Sequence, residues 1–253
     1  MAEKLTIGAA EIYLGDCLQT MESLPESCVD LVLTDPPFSS GTRREAAKGI
    51  RKSMNRTTDD AAWFGSDSLT TNGFLFLLRS CALEWHRLLK PGGHVLCFID
   101  WRMEATLADA IESADLRRAG LIVWDKTFFG MGSCFRNQHE LILHFTKGVG
   151  SPPLRRDVGN VIQAKPIRGG RHPTEKPDDL LGRLIEVACP SDGVVLDSFF
   201  GSGSTGIAAV KRHRGFIGIE RERPYFDMAA ESLRALQAIS SPNASGDLFS
   251  AIG

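Results

Sequence analysis

Asp35-Pro36-Pro37-Phe38 places a carboxylate, two prolyl carbonyls and a flat ring within four consecutive residues of the 253-residue chain. Neither proline has an N–H to compete for those carbonyls, so the group is suited to gripping a planar amine. It follows the apolar run Leu31-Val32-Leu33-Thr34. Two prolines cannot continue a central strand, so a strand is expected to end at Thr34 and to leave Asp35 at its C-terminal end, where open α/β sheets bind ligands. A plain surface turn after a buried strand uses the same residue types; a second constellation decides between these readings.

Val194-Val195-Leu196-Asp197-Ser198-Phe199-Phe200-Gly201-Ser202-Gly203-Ser204-Thr205-Gly206 reads as a buried strand, a glycine turn and the start of a helix through Val210. Glycines at such a turn allow close backbone approach to a nucleoside at a helix N-terminus. A branched side chain at Gly203 is expected to occupy the space the nucleoside needs. A further strand, Gly215 to Ile219, ends in Glu220, about 20 residues after the turn, where Rossmann-like units grip a ribose diol. Gly201, Gly203 and Gly206 also satisfy the dinucleotide fingerprint, which makes an NAD-binding oxidoreductase the rival. That reading gives Asp35-Pro36-Pro37-Phe38 no task, and a dinucleotide fold normally opens with this unit.

The intervening elements read as scaffold. Phe74, Leu77, Leu78, Cys81, Trp85, Leu88 and Leu89 recur at helical spacing, and Pro91-Gly92-Gly93 is expected to stop that helix before a strand at His94 to Ile99. Asp179 to Cys189 is an amphipathic helix entered through Pro177, and Pro224 opens a last helix to about Ile239. The pieces give an α/β fold: one domain over 1–253, a doubly wound, mostly parallel sheet with helices on both faces. The strands ending in Thr34 and Asp197 should be neighbours. Residues 240–253 turn polar and small and read as a flexible tail. Trp101 and Trp124 are assigned to the core, and His139 and His144 to structure.

Taken together these motifs resemble the circularly permuted β-class of S-adenosylmethionine-dependent DNA amino-methyltransferases, in which the Asp-Pro-Pro-aromatic motif precedes the cofactor motif. Gly15-Asp16-Cys17, Leu89-Lys90-Pro91-Gly92-Gly93, Gln138 to Leu143 and His172-Pro173-Thr174-Glu175-Lys176-Pro177 are similar to further segments of that family, in the same order. The resemblance implies a Rossmann-like sheet of seven strands with the last inserted antiparallel. It implies catalysis by Asp35, Pro36, Pro37 and Phe38. S-Adenosyl-L-methionine would then be held by Asp16, Cys17, Asp35, Thr174, Lys176, Asp197, Phe199, Gly201, Gly203, Ser204, Thr205 and Glu220, with adenine near Asp16, ribose on Glu220 and the methionine end near Thr174 and Lys176. Phe38 stands where the family more often has Tyr, which keeps base stacking and loses a hydroxyl. Asp rather than Ser at the first motif position goes with the adenine N6 amine, the cytosine N4 amine being the alternative. Double-stranded DNA is the implied substrate, with a restriction-modification role; a homodimer is a further expectation, resting on the apolar Phe128-Phe129-Gly130-Met131.

Composition narrows the classes. The formal net charge is −2, so a phosphate-binding surface must be local. Arg43, Arg44, Lys48, Arg51, Lys52 and Arg56 crowd a basic DNA-contact loop over 39–60; Arg155, Arg156, Lys165, Arg168 and Arg171 mark a target-recognition insertion over 148–172. The chain has no Pro-Cys dipeptide, which disfavours methylation of a cytosine ring carbon. Its six cysteines contain no C-x-x-C pair, as expected of free thiols in a reducing compartment with no structural metal. No membrane-length apolar run or secretion-signal core is present, and a cytoplasmic enzyme is expected.

Overall fold

The computed structural model describes residues 2–37, 70–130, 134–167 and 175–240. Among the described residues nine strands form one sheet: β1 (Glu3–Ile7), β2 (Ala10–Leu14), β3 (Val29–Thr34), β4 (Leu89–Ile99), β5 (Arg117–Asp125), β6 (His139–Thr146), β7 (Val161–Gln163), β8 (Val194–Asp197) and β9 (Gly215–Glu220). The helices are α1 (Cys17–Glu22), α2 (Thr71–Leu88), α3 (Glu104–Glu112), α4 (Asp178–Ala188), α5 (Ser204–Lys211) and α6 (Arg223–Ser240), with a short 3-10 turn at Trp101–Met103.

The strand order is β1-β2-β9-β8-β3-β4-β6-β5-β7. Strands β2, β9, β8, β3 and β4 run parallel; β6 is antiparallel to both β4 and β5, and β7 is parallel to β5. The count of nine corrects the expected seven. Of the two edge strands, β1 folds back on β2 through Gly8, whose φ of +56° suits glycine, and the three-residue β7 lies along β5. Strands β3 and β8 are neighbours, with Leu31 opposite Val195 and Val32 opposite Leu196. From β8 the chain moves through α5 to β9 on one side. From β3 it moves through α2 to β4 on the other, so the switch point lies between β8 and β3.

Alternation in the strands explains the two-sided core. Leu31, Leu33, Leu96 and Phe98 pack with α4, α5 and α6 around Leu181, Ala208 and Phe226. Val32, Val95, Cys97 and Ile99 point the other way, onto Met21, Trp85 and Leu107 of α1, α2 and α3. Both faces are covered, as a parallel sheet requires. Helix α2 passes directly into β4 at Leu89 instead of being stopped by Pro91. Leu89 pairs with Val29, and the ladder then breaks until His94 meets Leu31, with Gly92 at φ +81° absorbing the extra residues. Trp124 is buried, whereas Trp101 is 56% exposed after β4, which corrects its assignment to the core. Among the described residues no helix is long and apolar enough to cross a membrane.

Candidate active site

The carboxyl ends of β2, β9, β8 and β3 bring Asp16, Glu220, Asp197 and Asp35 to one edge of the sheet. Asp197 closes β8 and ties the switch point together: its Oδ1 accepts from Thr34 Oγ1 at 2.8 Å and from Phe199 N at 3.1 Å. The next residue, Ser198, accepts from Trp85 Nε1 of α2 at 3.1 Å. Burial pushes the Asp197 carboxyl up to about 6, against hydrogen bonds from Thr205, Thr34 and Phe199 that favour its ionised form.

The glycine turn is built around Glu220. Gly201 N donates to Glu220 Oε2 at 2.8 Å and Glu222 N donates to Oε1 at 2.8 Å, while Gly15 N bonds the Glu220 carbonyl at 2.9 Å. Two backbone donors thus orient the carboxylate. A side chain at Gly201 would meet open space, with Phe199 O the nearest atom at 4.0 Å. Gly203, at φ +97°, behaves differently: a Cβ there would lie 3.0 Å from Ala229 Cβ of α6. Glycine is needed at this position for its left-handed conformation and for seating α6. Asp16 caps α1, accepting from Leu18 N and Gln19 N at 3.0 and 3.1 Å. Cys17 turns inward, its Sγ 3.8 Å from Cys81 Sγ. Ser204 and Thr205 open α5.

On the other side of the switch point, Asp35 Oδ2 accepts from Lys176 Nζ at 2.6 Å. Lys176 is 7% exposed and also lies 3.4 Å from Glu140 Oε2. Glu140 Oε1 in turn accepts from Lys126 Nζ at 2.5 Å. The Lys176 ammonium sits over the rings of Phe98 and Trp124, 4.9 and 5.9 Å from their centroids. Asp35 Oδ1 is buried with no hydrogen-bond partner among the described residues. Burial holds the Asp35 carboxyl above its ordinary value although Lys176 pulls it down. For Glu140 burial also acts upward, but Lys176 and Lys126 outweigh it and hold the carboxyl low. Burial depresses Lys176, and Asp35 and Glu140 more than restore it.

Of the residues singled out from the sequence, Asp16, Cys17, Asp35, Pro36, Pro37, Lys176, Asp197, Phe199, Gly201, Gly203, Ser204, Thr205 and Glu220 are placed by the structure. Phe38, Thr174, the basic loop at Arg43, Arg44, Lys48, Arg51, Lys52 and Arg56, and Arg168 and Arg171 lie outside the described residues. Lys165 is exposed just beyond β7, at the edge that holds Asp35. Arg155 is instead paired with Asp157 and with Glu186. Glu186 lies eight residues along α4 from Asp178, about 12 Å from that helix's Lys176 end at 1.5 Å per residue. Phe128 and Phe129 are 36% and 54% exposed, beyond β5. Glu140 and Lys126 carry no assignment in the sequence reading. The available signal was an acidic residue at the head of the apolar strand Leu141-Ile142-Leu143, because a charge that enters a core needs a partner there. Among the described residues no group of three or more His, Cys, Asp or Glu is placed to hold a metal ion.

Comparison with known proteins fits this geometry. YubD of Escherichia coli (strain K12) is 30% identical over 233 residues, 92% of this chain and 94% of that one. The Type II methyltransferase M.HinfI of Haemophilus influenzae is 28% identical over 263 residues, covering 94% of this chain and 72% of that one. Among solved structures, the cytosine-N4-specific PvuII DNA methyltransferase superposes with a TM-score of 0.70 at 19% identity, covering 92% of this chain and 93% of that one. TTHA0409 of Thermus thermophilus, complexed with S-adenosyl-L-methionine, gives 0.67 at 22% identity over 89% and 95%. The profile of the N6_N4_Mtase family, described as DNA methylase, matches residues 29–152 and 151–231. A carboxylate corner and a glycine turn facing each other across one switch point, in a chain matched by that profile over most of its length, make this protein a member of the N6/N4 DNA methylase family.

Proposed function

We propose that the chain methylates the N6 amine of adenine in double-stranded DNA, using S-adenosyl-L-methionine, as a circularly permuted β-class enzyme. The observation that carries the reading is Asp35: it follows β3 directly, sits beside β8 and its glycine turn, and offers a buried oxygen with no partner among the described residues.

The residues present fit the cofactor. Glu220 is clamped through one lone pair of each oxygen, which leaves its remaining lone pairs to accept from a ribose diol. Gly201 leaves its neighbourhood open. The carboxylates of Asp35, Asp197 and Glu220 make this edge favourable to a cationic centre. When bound, S-adenosylmethionine supplies a methyl group on a positively charged sulfur. The permutation is supported by chain order, since β3 and its Asp-Pro-Pro corner precede β8 and its glycine turn.

An exocyclic amine is a weak nucleophile because its lone pair is delocalised into the ring. Asp35 Oδ1 accepts one of its N–H groups and the Pro36 carbonyl the other, drawing electron density back onto nitrogen and fixing the direction of its lone pair. Acceptors placed in this way are worth roughly 10²-fold in rate. Phe38 stacks on the base, which leaves the duplex to reach the corner. Lys165, together with the basic residues that follow the corner in the sequence at 43–56, supplies phosphate contacts. Cytosine N4 is the second reading: both amines present two N–H donors, and the fold superposes on a cytosine-N4-specific enzyme. Asp35→Ala tests the assignment. Methyl transfer to unmethylated DNA is expected to be lost while titration calorimetry still detects S-adenosylmethionine; transfer within tenfold of the parent would overturn it. The parent should show no comparable heat with NAD.

A further inference from the structure

Lys126, Glu140, Lys176 and Asp35 form a row of alternating charge running from the end of β5, across β6, to the corner after β3. Lysine normally reaches for solvent with its ammonium. Here the side chain is 7% exposed and its ammonium lies over two aromatic rings. It bonds one named oxygen of Asp35 and leaves the other without a partner among the described residues. Two carboxylates compete for it unequally, at 2.6 Å for Asp35 and 3.4 Å for Glu140, and Glu140 is itself occupied by Lys126. Such an arrangement fixes the rotation of the Asp35 carboxylate and supplies the nearest positive charge to it among the described residues.

Resting on the methyltransferase reading above, we propose that Lys176 is a positioning residue for Asp35: it pins Oδ2, keeps the carboxylate ionised, and thereby presents Oδ1 to the target amine, with Glu140 setting how strongly it does so. This differs from a role confined to holding the methionine end of the cofactor. Among the described residues, the charged and titratable groups that face Asp35 are Lys176 from the turn before α4, Glu140 from β6, Lys126 after β5, Asp197 at the end of β8 and Cys97 from β4. Of these, Lys176 acts most strongly to favour the ionised form, and it opposes the effect of burial.

The test is the pH profile of single-turnover methyl transfer from S-adenosylmethionine to unmethylated plasmid DNA, alongside KM for each substrate. Lys176→Met removes the charge, so Asp35 protonates at higher pH and the acid limb is expected to move upward by about one pH unit or more. Lys176→Arg keeps the charge and should return the limb to near the parent position. Glu140→Gln removes the competing carboxylate, strengthens the hold of Lys176 on Asp35 and should move the limb downward. Far-UV circular dichroism and thermal melts report folding; if Lys176→Met does not fold, the direction of the Glu140→Gln shift decides. A raised KM for S-adenosylmethionine with the acid limb unmoved in Lys176→Met would overturn the proposal, as would an unmoved limb in Glu140→Gln. If Asp35→Ala itself retains transfer, the methyltransferase assignment of Asp35 fails first, which distinguishes that failure from this one.

Discussion

Asp197→Asn isolates the electrostatic cost of tying the switch point together. The carboxyl is buried, and its folded-state value of about 6 stands against an ordinary 3.8. Because the folded value is the higher, the group contributes most to stability below pH 3.8, and that contribution is lost as the pH rises to about 6. The difference of about two pH units corresponds to roughly 3 kcal/mol in all at 1.36 kcal/mol per unit, of which about 2 kcal/mol falls between about pH 4.5 and pH 8. Asparagine does not titrate, and its Oδ1 can still accept from Thr34 Oγ1 and Phe199 N. The hydrogen bonds of the asparagine do not change with pH, and the stronger bonds that the ionised aspartate accepts at pH 8 are already contained in its folded value of about 6. Urea denaturation of parent and variant at the two pH values gives the difference directly. The stability of the variant relative to the parent should rise by about 2 kcal/mol on going to pH 8. A relative stability that does not change with pH would refute the argument that Asp197 is held ionised against its burial.

Three further outcomes follow from packing and charge. Gly203→Val combines a left-handed φ with a Cβ 3.0 Å from Ala229; it should abolish the calorimetric signal for S-adenosylmethionine and destabilise the fold by about 2–4 kcal/mol, and unchanged binding would show that the turn does not depend on its seat against α6. Gly218→Ala would place a methyl group 2.6 Å from Phe216 Cε1 and 2.7 Å from Phe200 Cδ1, in rings tilted by 44° with centroids 4.8 Å apart; a loss of about 1–3 kcal/mol is expected by denaturation, and parent-like stability would contradict the tight packing of β9 against that pair. Lys165→Ala should reduce the slope of log affinity for DNA against log salt by about 1, whereas Arg155→Ala, whose guanidinium is already paired with Asp157 and Glu186, should leave the slope unchanged; the reverse result would move the DNA surface to the other end of α4.

Punctuation made much of this molecule legible in advance. Pro36 and Pro37 end a strand for covalent reasons, and the glycines after Asp197 mark a turn for conformational ones, so both halves of the site could be located on strand ends before any contact was known. Apolar spacing likewise located α4 and α6 to within a residue and α2 to within three. The less legible parts depend on partners distant in the chain. Gly203 reads from the sequence as a turn glycine, and its close seat against α6 shows only once that helix is in place. Lys176 pairs with Asp35 across 141 residues of sequence, and its neighbours Glu140 and Lys126 lie on strand ends that only the insertion of β6 between β4 and β5 brings to the same edge. Pro91 misled because a bulge after Leu89 absorbs it. Trp101 misled because hydrophobicity alone does not separate a core ring from one left exposed at the end of β4.

The most direct measurement is the identity of the methylated nucleoside. Unmethylated DNA incubated with the protein and S-adenosylmethionine is digested to nucleosides and analysed by mass spectrometry, with Asp35→Ala as the control. N6-Methyl-2′-deoxyadenosine is expected from the parent and none from the variant. N4-methyl-2′-deoxycytidine as the sole product would replace the target base, and the absence of any methylated nucleoside would contradict the assignment of the Asp35 corner as a site of methyl transfer to DNA.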